Sequence, residues 1–118
     1  MQKLITNPIA AALKTNHAIN LKHRETTGET EDFKPALKLF CPWGAATWLI
    51  SEWDGADEMF GLCDLGMGSP EMGYVSLAEV QSIKHFSGLR IERDMHFAPK
   101  MTLREYADDA RNKGRIDA

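Results

Sequence analysis

The spacing of apolar positions along the chain separates four regions. Near the N-terminus, Thr6-Asn7-Pro8 sets a capping residue ahead of a proline, which is how many helices open, and Ile9, Ala12 and Leu13 follow as one modest apolar face. Residues 15–35 lose that periodicity. They are rich in Thr, Asn, Glu and His, contain Gly28, and read as a long, mobile polar loop, with continuation of the helix into part of it as the alternative. From Ala36 to about Tyr74 the chain carries strand signals. Leu37, Leu39 and Cys41 alternate with Lys38 and Phe40, and a Pro42-Trp43-Gly44 turn follows. Residues 46–53 are rich in β-branched and aromatic side chains and end at Asp54-Gly55, a hairpin-type turn. Residues 59–65 form a further strand closed by Gly66 and Gly68, and a short one is expected around Gly73-Tyr74-Val75.

The last third returns to helical spacing. Ser76 with Glu79 forms a capping box ahead of a helix over residues 77–85, which Gly88 stops, and residues 89–93 add a possible strand. Thr102 with Glu105 forms a second box, and Leu103, Tyr106, Ala107 and Ala110 follow the i, i+3, i+4, i+7 pattern of an amphipathic helix. Short sequential strands with tight turns favour an antiparallel meander over parallel βαβ units. The expected fold is therefore α+β: three to four strands, or five with residues 89–93, packed with two to three short helices. A chain of 118 residues, 43% of them hydrophobic, fits a single domain over 1–118 that needs no disulfide or metal to fold.

Composition narrows the setting. No stretch approaches the roughly 18 apolar residues of a membrane span, and the segment before Pro8 has no apolar run of signal-peptide length. Cys41 and Cys63 lie in apolar surroundings without Cys-x-x-Cys spacing, so both are expected as reduced core thiols in a cytoplasmic protein. No cofactor is implied. The net charge of −3, without a polybasic tail, steers the protein toward neither nucleic acid nor a membrane surface.

The distribution of charge is more informative than its sum. Between Lys38 and Lys84 there is no lysine or arginine, while Glu52, Asp54, Asp57, Glu58, Asp64, Glu71 and Glu79 all fall inside that interval. Such a surface repels phosphate, which makes nucleic acid a poor partner, and attracts a protein with a basic surface. The candidate binding residues are Glu52, Asp54, Asp57, Glu58, Asp64 and Glu71, with Trp53 as an aromatic anchor beside a hairpin. Trp48 is expected in the core. The competing reading is that these carboxylates decorate turns and the basic helices fold back over them. An exposed edge strand in a short meander would also invite a homodimer.

One further cluster stands out. If residues 91–97 are extended, Glu92, Asp94 and His96 share one face, and two carboxylates with an imidazole could hold a divalent metal, with Glu71 as a further ligand, or do acid–base work. The competing reading pairs Arg90 or Arg93 with Glu71 or Glu52. No Gly-x-Ser-x-Gly elbow is present, and the Gly66-Met67-Gly68 run leads to no phosphate-binding helix. The balance favours a binding protein over an enzyme.

Several motifs together are similar to a known family: Phe40-x-Pro42, Thr47-Trp48, Phe60-Gly61-Leu62, Glu71-x-Gly73-Tyr74, Ser76-Leu77-x-Glu79, and Gly88-Leu89-x-Ile91-Glu92-Arg93-Asp94-x-x-Phe97-x-Pro99. Over residues 36–99 the chain resembles the bacterial "domain of unknown function 2958" family. The resemblance carries over no catalytic residue. It implies a small accessory protein of plasmids, phages and integrative elements, whose expected partner is a host or element-encoded protein, with interference in host defence or plasmid and phage upkeep as the expected role.

Overall fold

A computed structural model describes residues 3–118. Its elements, in chain order, are α1 (Asn7–Thr26), β1 (Leu37–Phe40), β2 (Thr47–Trp53), β3 (Glu58–Asp64), β4 (Glu71–Ser76), α2 (Leu77–Ser82), β5 (Glu92–Arg93) and α3 (Leu103–Lys113). The five strands form one antiparallel sheet in the order β4-β3-β2-β1-β5. This is the expected α+β meander, with β5 as its fifth strand. Among the described residues, no helix is long and apolar enough to cross a membrane.

Alternation of side chains along the strands supplies two apolar faces, and each face has its own helix. Leu37 and Leu39 of β1, Trp48 and Ile50 of β2, and Met59 of β3 pack with Leu13 of α1 and Val80 of α2. Leu49 of β2 and Leu62 of β3 pack on the other face with Leu103, Tyr106, Ala107 and Ala110 of α3. The amphipathic pattern expected of α3 is thus its buried stripe. Its capping box is present in both directions, Thr102 with Glu105.

Residues 15–26, expected as loop, are helix. The reason lies in what α1 turns toward the sheet. Leu13 is fully buried, and the stripe continues through Asn16, His17, Asn20 and His23, at helical spacing but with polar side chains. Asn20 is 1% exposed, the only asparagine so buried among the described residues. Its amide donates to Glu52 Oε2 at 2.9 Å and to Glu31 O at 3.1 Å, and its carbonyl accepts from Glu31 N at 2.8 Å. Asn16 Nδ2 donates to Ser51 O at 3.0 Å. These bonds meet β2 where its pairing with β3 shifts register between Ile50 and Glu52, a bulge that removes Ser51 from the ladder. A polar stripe therefore docks on a polar defect in the sheet, and a search for apolar periodicity does not see it.

Residues 27–36 carry no regular structure but are tied at both ends. Gly28, at φ 78°, turns the chain out of α1 and donates to His23 O. Glu31 is clamped by Asn20, while Phe33 O accepts from Leu103 N and Asp32 Oδ1 accepts from Arg104 N, so the same strap holds the start of α3.

Two other elements differ from expectation. α2 stops at Ser82, and residues 84–90 form a small hairpin with a Lys84–Arg90 bridge and Gly88 at φ 96° in its turn. Trp53 is half-buried against the α1-side core, and its indole N–H is buried without a hydrogen-bond partner among the described residues. Trp48 lies in the core as expected.

Two substitutions test this packing. Asn20→Ala leaves the Glu52 carboxylate and the Glu31 peptide without their buried partner, and is expected to lower unfolding free energy by about 3 kcal/mol in urea denaturation. Gly61→Ala would place a Cβ 2.0 Å from Leu49 O and 2.9 Å from Ile50 Cα. With backbone on that side, little can yield, and a loss of about 2–3 kcal/mol is expected by the same measurement.

Candidate functional site

Of the acidic residues singled out in the sequence, the structure engages four within the fold. Glu52, 5% exposed, is held by Asn20. Asp64, 2% exposed, accepts from Gly66 N at 2.8 Å and Ile116 N at 2.9 Å, so it closes the β3–β4 loop and fastens the segment after α3. Asp54 sits at the β2–β3 turn, where one carboxylate oxygen accepts from the N–H groups of Ala56, Asp57 and Glu58. These bonds, that of Ala56 first, hold its carboxyl below the usual carboxylate range.

Asp57 joins that turn to the start of α2. Its carboxylate accepts from Ser76 Oγ at 2.7 Å and Ala78 N at 2.7 Å, and its backbone carbonyl accepts from Leu77 N. Ser76 in turn accepts from Glu79 N, so α2 is capped by its own serine and by a carboxylate from the neighbouring turn. The Ser76 hydroxyl, then the Ala78 N–H, hold the Asp57 carboxyl below the usual range.

Glu58 and Glu71 are exposed at opposite ends of the β3–β4 pair. β4 is the outermost strand on that side of the sheet. Because Asp57 O accepts from Leu77 N, alternation along the ladder turns the backbone N–H and C=O groups of Met72 and Tyr74 away from β3. Two hollows flank this edge. One, of about 240 Å³, is lined by Cys63, Leu65, Met67, Ser69 and Glu71. The other, of about 260 Å³, is lined by Asp57, Glu58, Tyr74, Val75, Ser76 and Glu79. Exposed apolar side chains accompany the carboxylates: Met67 is 77% and Tyr74 60% exposed. Tyr74 meets Phe60 edge-on, with ring centroids 5.2 Å apart, so its ring is positioned rather than loose. Tyr74, Leu65, Met67 and Glu79 were not among the sequence candidates. The signal available for them was the alternation around Gly73, which becomes informative only once β4 is known to be an edge. Burial pushes the Cys63 thiol up, which keeps it protonated beside this edge.

Glu92, Asp94 and His96 are not gathered into a ligand set. Glu92 is half-buried in β5 opposite Phe40. Asp94 Oδ1 accepts from His96 N, and its Oδ2 lies 3.4 Å from Lys38 Nζ. His96 is exposed at the turn. Among the described residues, no group of three or more His, Cys, Asp or Glu side chains is arranged to hold a metal ion. Arg90 donates to Gln81 O and Arg93 to Lys3 O, while Glu52 is answered by asparagine.

Asp64 and Asp94 instead line a cavity of about 650 Å³ with Lys38, Phe40, Thr47 and Arg115. It opens where the sheet face runs past the end of α3. Elsewhere, the 84–90 hairpin presents Phe86, 97% exposed, its ring tilted against His85, which meets Trp43 in turn at a tilt of 51°.

The Asp57 cap gives a pH signature. A carboxyl whose pKa is depressed in the folded state stabilises fully above its unfolded value, about 3.9, and that contribution is lost as pH falls through the folded value. Asp57→Asn is therefore expected to have a lower Tm than the parent at pH 7, with the gap closing below about pH 4. Thermal melts across pH 2.5–7 measure it, and a constant gap would contradict the cap.

The comparisons with known proteins add no chemistry. No curated protein and no solved structure matches the chain. A family described as "Protein of unknown function (DUF2958)" matches residues 4–117, which takes in α1 and α3 as well as the 36–99 region where the resemblance was seen. The chain belongs to that family.

Proposed function

We propose that the protein is a non-enzymatic binding module whose β4 edge receives an extended, basic segment of another protein. The observation that carries this reading is the combination of an open strand edge and one-signed charge. Met72 and Tyr74 turn their backbone groups outward, Glu58, Glu71 and Glu79 stand beside them, and no lysine or arginine occurs from residue 39 to 83. An added strand would satisfy the edge by main-chain hydrogen bonds, and its basic side chains would meet the carboxylates. Asp54 and Asp57 contribute negative potential from the adjoining turn while their oxygens remain engaged in capping. Relative to a face of six carboxylates with Trp53 as anchor, the reading is narrower: Glu58 and Glu71 stay, Glu79 joins them, and Tyr74 takes the aromatic place.

The carboxylates beside the edge, Glu71 on β4, Glu58 on β3 and Glu79 on α2, disfavour pairing of two copies through it, so the partner is a different chain. The biological setting attached to this reading is the one implied by the resemblance: an accessory protein of a plasmid, phage or integrative element acting on a host or element-encoded protein.

Titration of the ¹⁵N-labelled protein with an alternating Lys-Val octapeptide at low salt tests the reading. Amide shifts concentrated in residues 58–79, diminished by salt and absent with a Glu-Val octapeptide, are expected. Equal responses to the two peptides, or shifts elsewhere with none along β4, would overturn it.

A further inference from the structure

Two glycines face one another at the centre of the β3–β4 ladder, Gly61 and Gly73. They stand there for different reasons. At Gly61 a side chain has no room, since a Cβ would run into the backbone of β2. At Gly73 a Cβ would meet nothing within 4 Å, and the backbone is not in the left-handed region that favours glycine. Neither space nor conformation within the chain calls for glycine at position 73, although glycine weakens a strand by its entropy and by leaving nothing to pack. Glycine inside a strand often marks a bulge, a tight bend or a place where a ligand or another backbone approaches closely, and the β3–β4 ladder runs through Gly73 without a register shift.

Its surroundings say what comes close. Alternation sets Glu71, Gly73 and Val75 on the face that carries the α1-side core, as Val75 packs against that core. Gly73 thus interrupts a row with a carboxylate on one side and an apolar side chain on the other. The hollow at Glu71 lies beyond one end of the row, and the hollow at Glu58 and Glu79 beyond the other. In a strand added to β4, the residue opposite Gly73 projects onto the same face, with its neighbours two positions away opposite Glu71 and Val75.

We propose that Gly73 is the seat for a large side chain of the incoming segment, and that the segment has the pattern basic-x-aromatic-x-basic. This rests on the β4-edge reading and specifies its partner. The aromatic ring lies across the glycine, over the space where none of the described residues comes within 4 Å of a Cβ position. One basic residue reaches Glu71, and the other extends past Val75 toward Glu58 and Glu79.

The test uses the full chain and a fluorescein-labelled peptide, Thr-Lys-Thr-Tyr-Thr-Lys-Thr, followed by fluorescence anisotropy at low salt. Gly73→Val fills the open space with a residue that strands favour, so its Tm should equal or exceed that of the parent while its affinity for the peptide falls at least tenfold. Gly73→Ala, the milder change, should weaken binding several-fold. Replacing the peptide's tyrosine by glycine should weaken binding to the parent but make little difference to the Gly73→Val protein. If both Gly73 variants bind as the parent does while Glu71→Lys abolishes binding, the seat is wrong and the edge reading stands. If the parent does not bind the peptide, or Glu71→Lys and Glu58→Lys bind it unchanged, the edge reading itself fails, and the seat with it.

Discussion

The contact on which the rest of the structure depends is the bond between Asn20 and Glu52. It sits where the central strand slips its register, and a register slip exchanges which residues face which side of the sheet. Upstream of it, Trp48 and Ile50 face α1 and Leu49 faces α3; downstream, Trp53 belongs with the α1 side. The carboxylate and carbonyl exposed by the bulge would be costly under a helix without partners. Asn16 and Asn20 supply them, and Asn20 extends the same network to Glu31. One side chain thus ties the long helix, the central strand and the strap that reaches α3.

This arrangement leaves the two margins of the sheet unequal. On the β1 side, β5 adds a last short strand, and Lys38 meets Asp94 just beyond it. On the β4 side nothing comparable covers the edge among the described residues. Helices cover the interior of both sheet faces, but α2 is only six residues long and leaves β4 beside it exposed. Glu71 stands at one end of β4, and Glu58 of β3 stands beside its other end.

The carboxylates show how a single residue type divides by position. Asp54 and Asp57 collect backbone N–H groups in a turn and at a helix start, and Asp64 joins a loop to the C-terminal segment. Their short side chains reach the main chain close by, which suits aspartate to turns and caps. Glu58, Glu71 and Glu79, one methylene longer and on exposed strand or helix positions, point outward. The reading that carboxylates decorate turns therefore holds for the aspartates, whereas Glu58, Glu71 and Glu79 are left exposed at the surface.

What the sequence determined by itself were the features written in local chemistry. Alternation placed β1, β-branched and aromatic content placed β2, and the glycines after residue 65 closed β3, each within a residue or two. The Thr102–Glu105 box and the Leu103, Tyr106, Ala107, Ala110 spacing placed α3 and its buried stripe, and Asp54-Gly55 placed the hairpin. Each of these depends on neighbours a few residues apart, so the chain carries the information along its length. Only the tertiary structure decided that residues 15–26 are helix, because their sheet-facing stripe is polar and finds its partners 32 to 35 residues away. It alone decided that Glu52 is buried and Glu71 is not, that Glu92, Asp94 and His96 do not converge, and that Gly73 lies on an open edge. The reason is common to all of these: burial, convergence and exposure depend on which distant segment packs alongside, and the local pattern of a strand is the same at the centre of a sheet as at its margin.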